Sequence, residues 1–266
     1  MEAWIILLPA LVLCALMILT HTYLGLHVLA RGIIFIDLAL AQIAALGVCI
    51  AFLMGEEAHG LLSQLYALTA TLLAALGFAA LRRVPGKVNR EVIIGCIYVV
   101  TMALSIVILS RSSQGMEELK SLFNGNILWT SWEDIGLVAL VYGVLMLFHL
   151  IYGRQFYALS FTDKSTAPGY LWEFLFFASF SIVITLAVNL AGVLLVFAFL
   201  IIPAFSASLL SDKFSLRLIL AWGIGMCGAC LGLVISYLAD LPVGATVVVA
   251  IGVLPLFTLA IARLKN

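Results

Sequence analysis

Charge is the scarcest property of this sequence. Only 10% of its 266 residues are Asp, Glu, Lys or Arg, and 65% are hydrophobic. A soluble domain is about half apolar and about a quarter charged. A soluble fold of this length has too much surface to hide such an excess, which excludes an ordinary water-soluble enzyme or binding module. A surplus of either sign is also missing. Thirteen Lys and Arg balance thirteen Asp and Glu, so there is no basic stripe for phosphates and no case for a nucleic-acid partner. Cysteine is sparse and odd in number. Cys14, Cys49, Cys96, Cys227 and Cys230 all lie in apolar runs, where they read as small buried residues rather than a disulfide framework. No GxxxxGK[ST] phosphate loop occurs, so any coupling to ATP requires a second chain. The N-terminal stretch lacks a basic leader and a clean cleavage site, and is read as the first retained helix.

What is abundant is long apolar runs. Windows of about 20 apolar residues, enough to cross roughly 30 Å of hydrocarbon, fall near 4–26, 33–54, 61–82, 91–110, 134–153, 172–190, 192–210, 217–238 and 243–262. The expectation is an all-α integral membrane protein, a polytopic bundle of about nine transmembrane helices forming one domain over 1–266. The sixth and seventh runs meet at Asn189–Gly192, which leaves the count between eight and ten. Strand barrels show short alternating segments instead. Turn chemistry marks the breaks: Gly55-Glu56-Glu57, Pro85-Gly86, Pro168-Gly169 and Asp240-Leu241-Pro242.

The distribution of positive charge predicts orientation. With the C-terminus inside, Arg31, Arg82, Arg83, Lys87, Arg90, Arg154, Lys164, Lys213, Arg217, Arg263 and Lys265 face the cytoplasm. Only Arg111 and Lys120 lie outside, eleven against two. The N-terminus is then outside. The outer segments hold Glu2, Glu56, Glu57, Glu117, Glu118 and Asp240. Such a face attracts cations, although topology alone accounts for it.

Polar groups within apolar spans are costly and become candidate sites. Asp37 lies near the inner end of the second span, and Gln42 about 7–8 Å further along a helix. A carboxylate there calls for a metal, a basic group or a proton. His27 flanks the same turn as Asp37 and is the third candidate metal ligand. His21, His59 and His149, taken singly, fit hydrogen-bonded structural roles better. Cys227 and Cys230 share a helix face and would suit a soft ion, but neighbouring Gly223, Gly225, Gly228 and Gly232 point to close helix packing. Pro203 interrupts the seventh run and is expected to bend it. After it, Ala204–Phe214 reads either as a short helix along the membrane surface, available to an ATPase, or as a kinked hairpin. Leu122–Asp134 combines a Gly turn, amides and tryptophans suited to an interfacial belt or to a docking surface.

These residues resemble the permeases of zinc, manganese and iron ABC importers. The likeness runs through RGIIFIDLALAQIAALG, the Glu91–Gly95 turn, Leu122-Phe123-Asn124-Gly125-Asn126-Ile127-Leu128, and GVLLVFAFLIIPAFSASLLSD followed by DLPVGATVVV. The resemblance implies a bacterial-type inner-membrane permease that is not itself an enzyme. It implies no permanently bound cofactor, with a divalent metal as transported substrate. Its partners would be an ABC ATPase, an extracytoplasmic metal-binding protein, membrane lipid, and a second copy or a paralogue forming a dimer. ATPase coupling would fall on Pro203, Ser206, Ser208, Ser211, Asp212 and Lys213. Family members often carry a histidine four residues after the aspartate; here that position is Ala41, or Gln42 if the Leu-Ala block is matched. An Asp–Gln site is harder and richer in oxygen, which tilts the expectation from zinc toward manganese or iron.

Overall fold

The computed structural model describes residues 2–57, 60–83, 89–110, 125, 127–162 and 168–265. Among them all regular structure is helical: α1 (Glu2–Arg31), α2 (Ile36–Leu53), α3 (Leu61–Ala80), α4 (Arg90–Leu109), α5 (Trp132–Ile151), α6 (Gly153–Phe161), α7 (Tyr170–Leu210), α8 (Phe214–Ala239) and α9 (Val243–Lys265). Eight of these, all but α6, are long and apolar enough to cross a membrane. A helix satisfies its own backbone polar groups, which hydrocarbon requires. Several expected features lie outside the described residues: Pro85-Gly86 with Lys87, His59, Arg111, Glu117, Glu118, Lys120, Leu122–Asn124, Asn126 and Lys164. The same holds for the side chains of Glu2, Arg83, Arg263 and Lys265.

The sixth and seventh expected spans are the two helices that make up α7, a 41-residue element, and each is about long enough to cross the hydrocarbon. The element is broken at Gly192, where φ is 76° and ψ 160°, a conformation open to glycine and strained for other residues. Pro203 lies inside the second of these helices, which continues to Leu210.

The chain forms two compact units. The first comprises Met1–Leu29, Asn124–Met146 and Leu190–Asn266. Here glycines bring helices into backbone contact. A Cβ on Gly25 would overlap the Leu200 carbonyl, one on Gly228 would come within 2.5 Å of Ile251, and one on Gly232 within 2.5 Å of Val247. This is the small-residue packing that substitutes for a hydrophobic driving force in lipid. Trp222 donates its indole N–H to the Leu19 carbonyl at 3.1 Å. Gly125, with φ +62°, lies against the backbone of Ala191 and Gly192. Beyond it, Trp129 and Trp132 are exposed, as interfacial tryptophans would be.

The second unit comprises Ala30–Phe123 and Leu147–Asn189. Ala44, Ala45, Val48 and Cys49 of α2 pack with Ala67 of α3 and Leu109 of α4. A Cβ on Gly47 would lie 2.6 Å from the Ala67 Cα. α3 is fastened to α7 by hydroxyls: Thr71 and Thr185 share a 3.0 Å hydrogen bond, and Ser181 donates to the Thr71 carbonyl at 3.1 Å. Amphipathic α6, which lies between two of the long apolar runs, is anchored by Phe156. That ring stacks on His149 at 3.9 Å and meets Trp172 edge-on at 5.8 Å.

Candidate functional site

Asp37 is the second residue of α2. It is 1% exposed, and neither carboxylate oxygen has a hydrogen-bond partner. Buried carboxylates in folded proteins are paired or hydrogen-bonded as a rule, because an ionised carboxylate in an apolar setting is expensive. Asp37 lies in the first turn of α2, the end of a helix whose partial positive charge favours an anion. Two free oxygens thus stand ready to accept a cation or a proton. Gln42 lies on the same helix, equally buried, with its amide nitrogen unpartnered. Its carbonyl oxygen is a neutral, hard donor.

His27 belongs to the first unit and is 1% exposed. Its ring packs edge-on against Tyr23 at 4.8 Å and Phe214 at 5.6 Å, which gives it a place in an aromatic cluster. His21, read from sequence as structural, is also fully buried. Its Nδ1 hydrogen-bonds the Met17 carbonyl at 2.8 Å while Nε2 has no partner. With Nδ1 as the donor, Nε2 presents a lone pair. His149 hydrogen-bonds Ser179 at 2.8 Å, a structural role. Cys227 and Cys230 are exposed, and among the described residues no three His, Cys, Asp or Glu groups gather to hold a metal.

Of the two readings of Ala204–Phe214, the separate surface helix is absent and a turn between two long helices is present. Ala204–Leu210 completes α7, and α8 begins at Phe214. The reason is local: the run from Ala204 to Leu210 contains no helix breaker, so the last turns of α7 continue until Ser211-Asp212-Lys213. Pro203 and Ser206 are buried, Ser208 and Ser211 half-buried, Asp212 and Lys213 exposed. Arg217 pins this turn by an ion pair to Asp212 at 3.0 Å and a hydrogen bond to the Ser211 carbonyl. Of the six expected coupling residues, Asp212 and Lys213 are exposed.

Comparison with known proteins places this geometry in context. The chain is 29% identical over 230 residues to the "Probable iron transport system membrane protein" of Haemophilus influenzae, covering 85% of this chain and 79% of that protein. It is 27% identical, over the same shares, to the "Manganese transport system membrane protein MntC" of Listeria monocytogenes. Its fold matches a chain of PsaBC from Streptococcus pneumoniae, solved in complex with Fab, with TM-score 0.77 and 21% identity over 98% of this chain and 95% of that one. The ABC 3 transport family matches residues 4–262. Taken with eight membrane-length helices, a match across almost the whole chain leaves one assignment: this multi-pass membrane protein belongs to the ABC 3 transport family.

Proposed function

We propose that this chain is the permease subunit of an ATP-binding-cassette importer for a divalent transition-metal ion, not itself an enzyme, and driven by a separate ATPase. The observation that carries the reading is Asp37, a buried carboxylate with both oxygens free in a membrane-spanning helix. Such a group is retained at a cost to stability, which points to a use. Curated relatives described as iron and manganese transport proteins support a metal substrate.

In this reading both units form one permease domain whose N-terminus is outside and C-terminus inside. The metal is met by Asp37 and by the Gln42 carbonyl, with His27 as a further ligand candidate. Oxygen donors favour manganese or iron over zinc. A second permease chain completes the dimer, and an extracytoplasmic metal-binding protein delivers the ion. ATP-driven closure of the ATPase pair moves the pore between states open to one side or the other. The ATPase contact on this chain is the Ser211–Lys213 turn, preformed by Arg217. Co-purification tests the partner: an ATPase encoded beside the permease is retained on tagged permease in mild detergent, and its absence from every preparation removes the ATP-driven reading.

The turn makes a separate prediction. Reversing both exposed charges, Asp212→Lys with Lys213→Glu, leaves insertion and thermal stability within about 0.5 kcal/mol, as for most exposed positions. Retention of the ATPase falls about ten-fold, a change of roughly 1.4 kcal/mol across an interface. Pull-down of the ATPase by the variant measures it; unchanged retention moves the contact elsewhere.

A further inference from the structure

The α1–α2 turn that delivers Asp37 is held from two sides by carboxylates that no transport role accounts for. α1 ends at Arg31, and Gly32 follows with φ +63°, the left-handed residue that commonly stops a helix. The chain then turns within Ile33–Phe35, with the Ile36 N–H bonded to the Ile33 carbonyl at 3.2 Å, and α2 begins. Phe35 caps α2 with no side-chain hydrogen bond of its own. Its N–H instead donates to Oε1 of Glu91, from the first turn of α4, at 2.8 Å. A carboxylate from another helix thus accepts the N–H of the N-cap residue, the place that the Glu or Gln of a capping box usually fills.

The other side of the turn is fixed by Arg31. Its guanidinium forms an ion pair with Glu173, in the first turn of α7, and both side chains are nearly buried. The same guanidinium lies 4.8 Å from the Phe176 ring centre and 4.7 Å from that of Phe177. Cation–π contacts of this kind add to the pair when desolvated. A buried ion pair is weak evidence of net stabilisation, but it fixes geometry strongly because either partner alone is costly. The turn between the two anchors runs from Arg31 to Phe35, and Asp37 stands two residues beyond.

We propose that Glu91 and Glu173 are positioning residues for Asp37: together they clamp the α1–α2 turn and hold the Asp37 carboxylate at one fixed, buried place. The clamp rests on the reading of Asp37 as the ion-path carboxylate, yet its mechanical claim is separable. Glu91 acts as a hydrogen-bond acceptor, so Gln serves in its place. Glu173 acts through charge, so neither Ala nor Gln does.

The test measures how fast a water-soluble maleimide labels D37C in native membranes, read at that position by peptide mass spectrometry. The parent labels slowly. E91A and E173A label about ten-fold faster, because local opening of the helix start becomes cheaper. E91Q stays within about two-fold of the parent, the retained acceptor keeping the cap. If E91A or E173A fails to reach the membrane, E91D, too short to reach Phe35, and E173Q, which keeps shape without charge, are read in their place with the same expectation. Equal rates in all variants overturn the clamp. So does E91Q labelling as fast as E91A, which would make charge rather than the held N–H the operative feature. Failure of the pathway reading looks different: Asp37→Asn then transports normally, while the labelling pattern still decides the clamp.

Discussion

Asp37→Asn abolishes metal uptake while leaving the protein in the membrane at normal yield and with a thermal midpoint no lower than the parent's. The two halves of this expectation have one cause. The carboxylate is buried with neither oxygen partnered, so an isosteric amide removes a desolvated charge and no protein hydrogen bond. Stability therefore holds or rises. For the ion the exchange runs the other way. Breaking a buried charge pair by removing one partner costs about 3–5 kcal/mol, so ion passage slows by at least about a hundred-fold. Uptake of radioactive manganese or iron by cells expressing the variant, normalised to membrane content, measures the loss. Uptake within two-fold of the parent removes Asp37 from the path.

Gly125→Ala has the second largest expected effect, and it acts on folding. At φ +62° a Cβ is strained by about 1–2 kcal/mol. At this position it would also overlap the backbone of Ala191 and Gly192. Overpacking of a core costs about 1–3 kcal/mol even where side chains can move aside. Here the obstructing atoms are main chain at the break in α7, so no rotamer change relieves the contact. The variant is expected to lose folded yield in mild detergent and to show a thermal midpoint roughly 4–20 °C lower, the range that a sum of about 2–5 kcal/mol produces in a chain of this size. A midpoint equal to the parent's means that the Gly125 turn does not rest on the α7 break.

How much of this was legible in the sequence differs by element. Long apolar runs marked every membrane-length helix, because only a self-satisfied backbone tolerates hydrocarbon. The Asn189–Gly192 junction was legible as a break, but its form as a kink at a single positive-φ glycine between two helices was not. Composition locates a turn but does not fix its dihedrals. Pro203 does not end its helix, because a proline inside a long packed helix can be accommodated. For the same reason the hairpin reading of Ala204–Phe214 fits and the surface-helix reading does not. α6 was missed because a nine-residue amphipathic helix among polar residues carries too short a period to register.

The candidate site was half legible. Asp37 stood out by charge alone, and the structure adds that it is buried with neither oxygen partnered. The turn that holds it was invisible, since Glu91 and Glu173 lie 56 and 142 residues from the groups they grip. Nothing local in sequence distinguishes them from surface carboxylates at helix starts. His21 likewise needed the structure, because an imidazole's free nitrogen is revealed only by where the other one bonds.

The central claim is that ATP hydrolysis on a partner chain drives a divalent ion through this one, and a single reconstitution addresses it. The permease and its ATPase are placed in sealed liposomes with the extracytoplasmic binding protein, and manganese or iron accumulation is followed with and without ATP on the ATPase side. Accumulation that requires ATP, stops with a non-hydrolysable analogue, and disappears in Asp37→Asn is the expected result. Accumulation that proceeds without ATP on an imposed proton or sodium gradient, or hydrolysis indifferent to every divalent ion supplied, would contradict it.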